Sequence, residues 1–167
     1  LPGARIALGA GDEPELRVEL DGRTVTVYVD GSPSRPEVGT ARAVVALDEA
    51  QAGRKAFAGW DREAPPDWLH VDEVPVPAVR MEGHLEVRSE DPEWARALVD
   101  DAYLDLVDVR REAIGGAGMS LAVRSGYLEV VFEGIGASAH FLERLAKAAA
   151  RLSGRLPAPS RDAPSGG

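Results

Sequence analysis

Two alternating runs that meet at Ser125-Gly126 constrain this chain more than any other stretch. A two-residue loop containing Gly between such runs is a hairpin signal. Counting outward from the turn pairs Val123 with Leu128, Leu121 with Val130 and Met119 with Phe132. All six are apolar, and the two-residue period of a strand puts them on one face. Arg124 with Tyr127, Ala122 with Glu129 and Ser120 with Val131 fall on the other face, which is mostly polar. A slip of one residue mixes the two sets, so the pattern specifies the register. A hairpin with one apolar face is marginal alone and needs a covering layer.

A second hairpin is expected where Leu16–Leu20 and Arg23–Val29 flank Asp21-Gly22. It pairs Val18 with Val25 and Leu16 with Val27 on one face, leaving Arg17, Thr26, Glu19 and Thr24 on the other. Arg5–Leu8 reads as a short strand, residues 31–36 as a proline-blocked loop, and Thr40–Leu47 as a further strand. Residues 48–80 read as a long irregular connection, with a short helix over Asp48–Phe57 and an edge strand around Leu69–Val74. His84–Arg88 alternates as a strand. Asp91-Pro92-Glu93 then opens a helix running to about Glu112. On that helix Asp101, Asp105, Asp108 and Glu112 form an acidic stripe, opposite Val99, Ala102, Leu106 and Val109. Leu104 does not fit the apolar side, and Trp94 falls on the acidic one. Gly115–Gly118 ends the element. Ser138 caps a last helix with an apolar face of Phe141, Leu142, Leu145, Ala148, Ala149 and Leu152, stopping at Gly154.

These faces are hidden most simply in an α+β fold: a mainly antiparallel sheet of two hairpins plus added strands, covered on one face by two helices. Residues 1–156 are read as one domain, divisible into a β-rich part (1–80) and a βαββα part (81–156). Residues 157–167, rich in Pro, Ala, Ser and Gly, are read as a disordered tail or linker. At 167 residues the chain can bury roughly 70% of its unfolded surface without staples.

The chain has no cysteine, which removes disulfides, thiolate zinc sites and cysteine nucleophiles. A net charge of −9, spread over both halves, argues for solubility and against nucleic acid as a partner. No apolar run is long enough to span a membrane, so this segment is not expected to insert directly. The chain opens on Leu1, which we read as a processed start or a fragment. Abundant Ala, Arg, Gly and Pro with scarce lysine suggests a GC-rich bacterial source.

The run from Gly83 through Asp91-Pro92-Glu93-Trp94-Ala95-Arg96-Ala97-Leu98 to Asp100, followed by the Leu128 strand and the Phe141 helix, resembles a bacterial family. It is similar to the soluble C-terminal portion of GC-rich bacterial proteins with no established activity, some with transmembrane segments upstream. The resemblance spans about residues 83–152. It implies a domain of unknown function, attached to a membrane in some members by parts outside this chain, and it transfers no functional residues.

No catalytic constellation stands out. The acidic stripe suits a hard cation in residue type, but one straight helix sets its carboxylates in a row; we read it as a solvated face. His70, His84 and His140 lack metal-ligand or catalytic spacing, and no nucleophile elbow is present. No metal and no cofactor are expected. Gly134, Gly136 and Ser138 run from strand into helix and are the better anion-binding candidates, against ordinary turn chemistry. Trp60, Trp68 and His70 form the one aromatic cluster in the irregular segment. They read first as a lid over the sheet's open face, and otherwise as a contact surface for a ligand or partner.

The function expected is therefore a non-catalytic interaction module, the soluble part of a larger bacterial protein, with a protein partner or self-association. The alternatives are a hydrolase or transferase whose dispersed histidines and acids assemble in space, and a purely structural assembly domain. The compartment is left open between cytoplasm and the soluble part of a membrane-associated protein.

Overall fold

The computed structural model describes residues 5–8, 14–32, 35–60, 67–71, 73–75, 85–112, 118–135 and 138–157. Eight strands lie among them: β1 (Arg5–Leu8), β2 (Pro14–Leu20), β3 (Arg23–Ser32), β4 (Arg35–Ala46), β5 (Ala56–Trp60), β6 (Leu85–Ser89), β7 (Met119–Arg124) and β8 (Tyr127–Ile135). The described residues also include two α-helices, α1 (Pro92–Arg111) and α2 (Ala139–Gly154). The strands form one sheet in the order β1-β2-β3-β4-β8-β7-β5-β6, antiparallel at every pairing. This is the α+β arrangement expected.

Both hairpins keep their counted registers. Val123 faces Leu128, Leu121 faces Val130 and Met119 faces Phe132 across one turn. Val18 faces Val25 and Leu16 faces Val27 across the other. The turns explain the match. Ser125 and Gly126 have φ of 51° and 78°, and Asp21 and Gly22 have 51° and 75°. Two successive positive φ values give the turn whose twist suits a hairpin, and Gly at the second position adopts its φ without strain. Pairing of β4 with β8 then fuses the two hairpins into one sheet.

Both helices pack on one face. α2 lies over β2, β3, β4 and β8, α1 over β5 and β6, and the helices touch each other. Beneath them Val25, Val27, Val45, Leu121, Val123, Leu128, Val130 and Phe132 are buried against Leu106, Val109, Phe141, Leu145 and Leu152. Phe132 and Phe141 meet edge to face, 5.4 Å between centroids at 88°. The Asp91 carboxylate accepts from the Trp94 amide at 3.1 Å, and the Ser138 hydroxyl accepts from Phe141 at 3.1 Å, so both expected caps form. Asp91 also pairs with Arg54 at 2.9 Å, tying the entry of β5 to the start of α1.

Four expectations are corrected. Residues 31–36 are not a simple loop: β3 continues to Ser32 and β4 begins at Arg35. Pro36 falls between the paired residues Arg35 and Thr40, where the β3–β4 register shifts, the kind of irregularity in which a strand carries Pro. Asp48–Phe57 is not a helix beyond the turn Glu49–Gln51; Ala56–Trp60 is instead a strand between β7 and β6. It escaped the alternation test because all five residues are buried, so neither face is marked polar. Among the described residues of 69–74 a bridge, Glu73 to Arg88, stands in place of the expected strand. Trp94 is not on a solvated side but is buried in the core, its Nε1 donating to the Pro157 carbonyl at 2.8 Å. That carbonyl also accepts from Gln51 at 3.0 Å. The remaining tail, residues 158–167, lies outside the described residues, as do His84 and 113–117 of the glycine-rich stretch.

The packing sets an expected contrast in thermal or denaturant unfolding. Phe132→Ala, at the centre of the inner face, should cost about 3–5 kcal/mol. Leu104→Asp, at a position 71% exposed on α1, should stay within about 0.5 kcal/mol of the parent.

Candidate binding surface on the open sheet face

Alternation assigns the second face of the sheet. Reading the registers across β2, β3, β4, β8 and β7 gives one row of Glu15, Tyr28, Arg42, Val131 and Ser120. The next row is Arg17, Thr26, Val44, Glu129 and Ala122. Tyr127 and Arg124 stand opposite each other one row further on.

One part of this face is covered. Trp68, Leu69 and Val71 pack on Phe57 of β5 and Ala122 of β7. Arg88 of β6 donates to the Val71 carbonyl at 2.7 Å, and the Val74 amide donates to Val87 at 2.7 Å. Arg96 of α1 donates to the Pro75 carbonyl at 3.1 Å. Residues 67–75, where described, thus strap the β6 edge. Among the described residues the strap reaches as far as β7. Beyond it Arg42, Ala46, Arg124 and Tyr127 are exposed, with Tyr28, Val44 and Glu129 half-buried among them.

The side chains at this border form a chain of contacts. The Arg42 guanidinium lies over the Tyr28 ring, 5.4 Å from its centroid. The Arg124 guanidinium lies over the Trp68 ring at 5.2 Å. Between the two cations stands Glu129, with one carboxylate oxygen 3.3 Å from Arg42 and the other 3.9 Å from Arg124. The sequence of groups is aromatic, guanidinium, carboxylate, guanidinium, aromatic. Stacking holds each guanidinium over a ring, so less side-chain freedom remains to be lost when a ligand binds. Tyr28, Arg42, Val44, Arg124, Ser125, Tyr127 and Glu129 line a shallow cleft of about 400 Å³. Such a surface can hold a planar anion and an adjacent apolar group together.

The residues expected to form a site are not gathered in one place. Trp60 is 2% exposed on the helix-facing side, in phase with Ala58 and Ala56. Trp68 covers the opposite face, and His70 is exposed. The two tryptophans therefore share no surface: Trp60 belongs to the core and Trp68 to the strap. Gly134 has φ of 69°, and Ser138 spends its hydroxyl on capping α2. Gly136, the third member of that anion candidate, lies outside the described residues. The sequence missed Tyr28, Arg42, Arg124 and Glu129 as a set. The face of Arg124 and Glu129 was legible within their hairpin, but Arg42 of β4 reaches Glu129 only through the β4–β8 pairing.

The acidic stripe is not simply solvated. Asp101, Asp105 and Glu112 face cations on α2 and at its C-cap, Asp108 pairs with Arg111 on α1 itself, and the pairing order shows that the helices run antiparallel. Arg155 reaches Asp101 at 3.4 Å and Asp105 at 2.7 Å, and Arg151 reaches Asp105 at 3.1 Å. Arg144 and His140 stand 3.4 and 3.7 Å from Glu112. Among the described residues no group of three or more His, Cys, Asp or Glu side chains is placed to hold a metal ion. Nor is any described helix long and apolar enough to cross a membrane. On α2 itself Lys147, 2.6 Å away, holds the Glu143 carboxyl below the usual range through its hydrogen bond and charge.

This seam predicts a modest coupling. In a double-mutant cycle, Asp105→Ala and Arg155→Ala should each destabilise, with an interaction of about 0.2–1 kcal/mol that shrinks in high salt. Unfolding measured in low and high salt checks it; strictly additive losses mean the pair does not interact.

Comparison of the chain with family models, with curated proteins and with solved structures finds no match.

Proposed function

We propose that this chain is a non-catalytic binding module that engages a protein partner through the uncovered part of its sheet. The observation that carries this reading is the stacked array from Tyr28 to Trp68, with Tyr127, 51% exposed, beside it. Protein interfaces draw their energy from a few aromatic and arginine anchors. This face supplies Tyr28, Arg42, Arg124 and Tyr127 on strands, where a rigid sheet fixes their spacing, and Trp68 on the strap. The helical face, by contrast, spends its charges on the α1–α2 seam. Within this proposal the module is the soluble part of a larger bacterial protein, a reading that the resemblance of residues 83–152 to GC-rich bacterial proteins supports.

Site-specific photo-crosslinking in bacterial cells tests it. A photoreactive phenylalanine analogue replacing Tyr127 should give a discrete cross-linked protein, and the same analogue replacing Leu104 should not. Cross-linking at Leu104 with none at Tyr127 overturns the assignment of the face.

A further inference from the structure

We infer that the cleft lined by Tyr28, Arg42, Arg124 and Glu129 receives one carboxylate side chain of a partner polypeptide, flanked by an apolar residue. This rests on the open face being the binding surface and names the chemistry it selects. Arg42, Arg124 and Glu129 together carry a charge of +1. Charge-assisted bonds are tight when nitrogen and oxygen stand roughly 2.7–2.9 Å apart. Glu129 accepts a long hydrogen bond from Arg42 at 3.3 Å and stands 3.9 Å from Arg124, so it bridges both guanidiniums without a tight bond to either. Both arginine side chains are half in water, and each guanidinium has five donors in a fixed fork. Among the described residues Glu129 is the carboxylate that both forks reach. One further carboxylate brings the array to neutrality and fits the fork geometry.

Charge also selects among anions. A phosphate dianion beside Glu129 leaves the cluster negative, whereas a carboxylate balances it. The whole chain carries −9, which repels nucleic acid and long acidic runs. The ligand that suits both scales presents a single acid between uncharged neighbours. Val44 and the exposed Tyr127 ring line the same cleft and offer an apolar contact for a residue beside that acid. The cleft is shallow and its lining comes from the adjacent strands β3, β4, β8 and β7, so it suits side chains of a segment laid across them.

Short peptides selected from a random display library against the intact chain, then synthesised singly, provide the probe. Binders are expected to contain one Asp or Glu, and its replacement by Asn or Gln should weaken binding roughly tenfold or more. Arg42→Gln and Arg124→Gln should each cause a similar loss, and adding either to the amidated peptide should cost little more. Arg42→Lys, which keeps charge but loses the fork, should fall between. Circular dichroism on each variant confirms that the fold is retained. Acid-free binders that are lost with Tyr127→Asp, or binders displaced by millimolar inorganic phosphate, overturn the carboxylate inference and leave the docking face standing. Binding indifferent to Arg42→Gln, Arg124→Gln and Tyr127→Asp alike overturns both. Sedimentation that shows a dimer dissociated by Tyr127→Asp makes a second copy the occupant and overturns the inference too.

Discussion

Two consecutive positive φ values at Ser125 and Gly126 set the phase of β7 and β8, and the remaining structure depends on that phase. With it, Leu121, Val123, Leu128 and Val130 point at the helices, and Arg124, Tyr127 and Glu129 point away. A shift of one residue would exchange the two sets and place charges under α2. The Asp21-Gly22 turn repeats the device for β2 and β3. The β4–β8 ladder then puts both hairpins in phase within one sheet, so a single choice of face runs across five strands.

From that choice the two surfaces acquire different characters. The inner one is dense with aliphatic and aromatic side chains, which supply the apolar burial that stabilises the fold. Two helices suffice to cover it because they pack together, with acids of α1 set against bases of α2. On the outer one the described residues of a short strap shield Phe57 and Ala122. Trp68 does two things at once: it seals the strap and gives Arg124 a ring to lie on. The border of the strap is therefore also the border of the cleft.

What was legible in the sequence follows from the range of the interactions. Turn chemistry and period-two alternation are local, so both hairpins, their registers and the face of each side chain could be counted from Ser125-Gly126 and Asp21-Gly22. Capping is local too, and Asp91 and Ser138 behave as their positions suggest. β5 was illegible because burial on both faces erases alternation. Trp60 and Trp68 looked like neighbours because they are close in the chain, yet one ends a strand facing the helices and the other returns over the opposite side. The array was hidden for a different reason: Arg42 and Glu129 are 87 residues apart and meet only when β4 finds β8.

Because the chain contains no cysteine, the phase of β8 can be read one residue at a time by thiol labelling of single-cysteine variants under native conditions. With the phase described here, Tyr127→Cys reacts at close to the rate of an unfolded peptide, and Val130→Cys reacts only as fast as the protein opens. Equal rates at the two positions, or fast labelling at Val130→Cys with protection at Tyr127→Cys, are incompatible with the fold and with the binding face built on it.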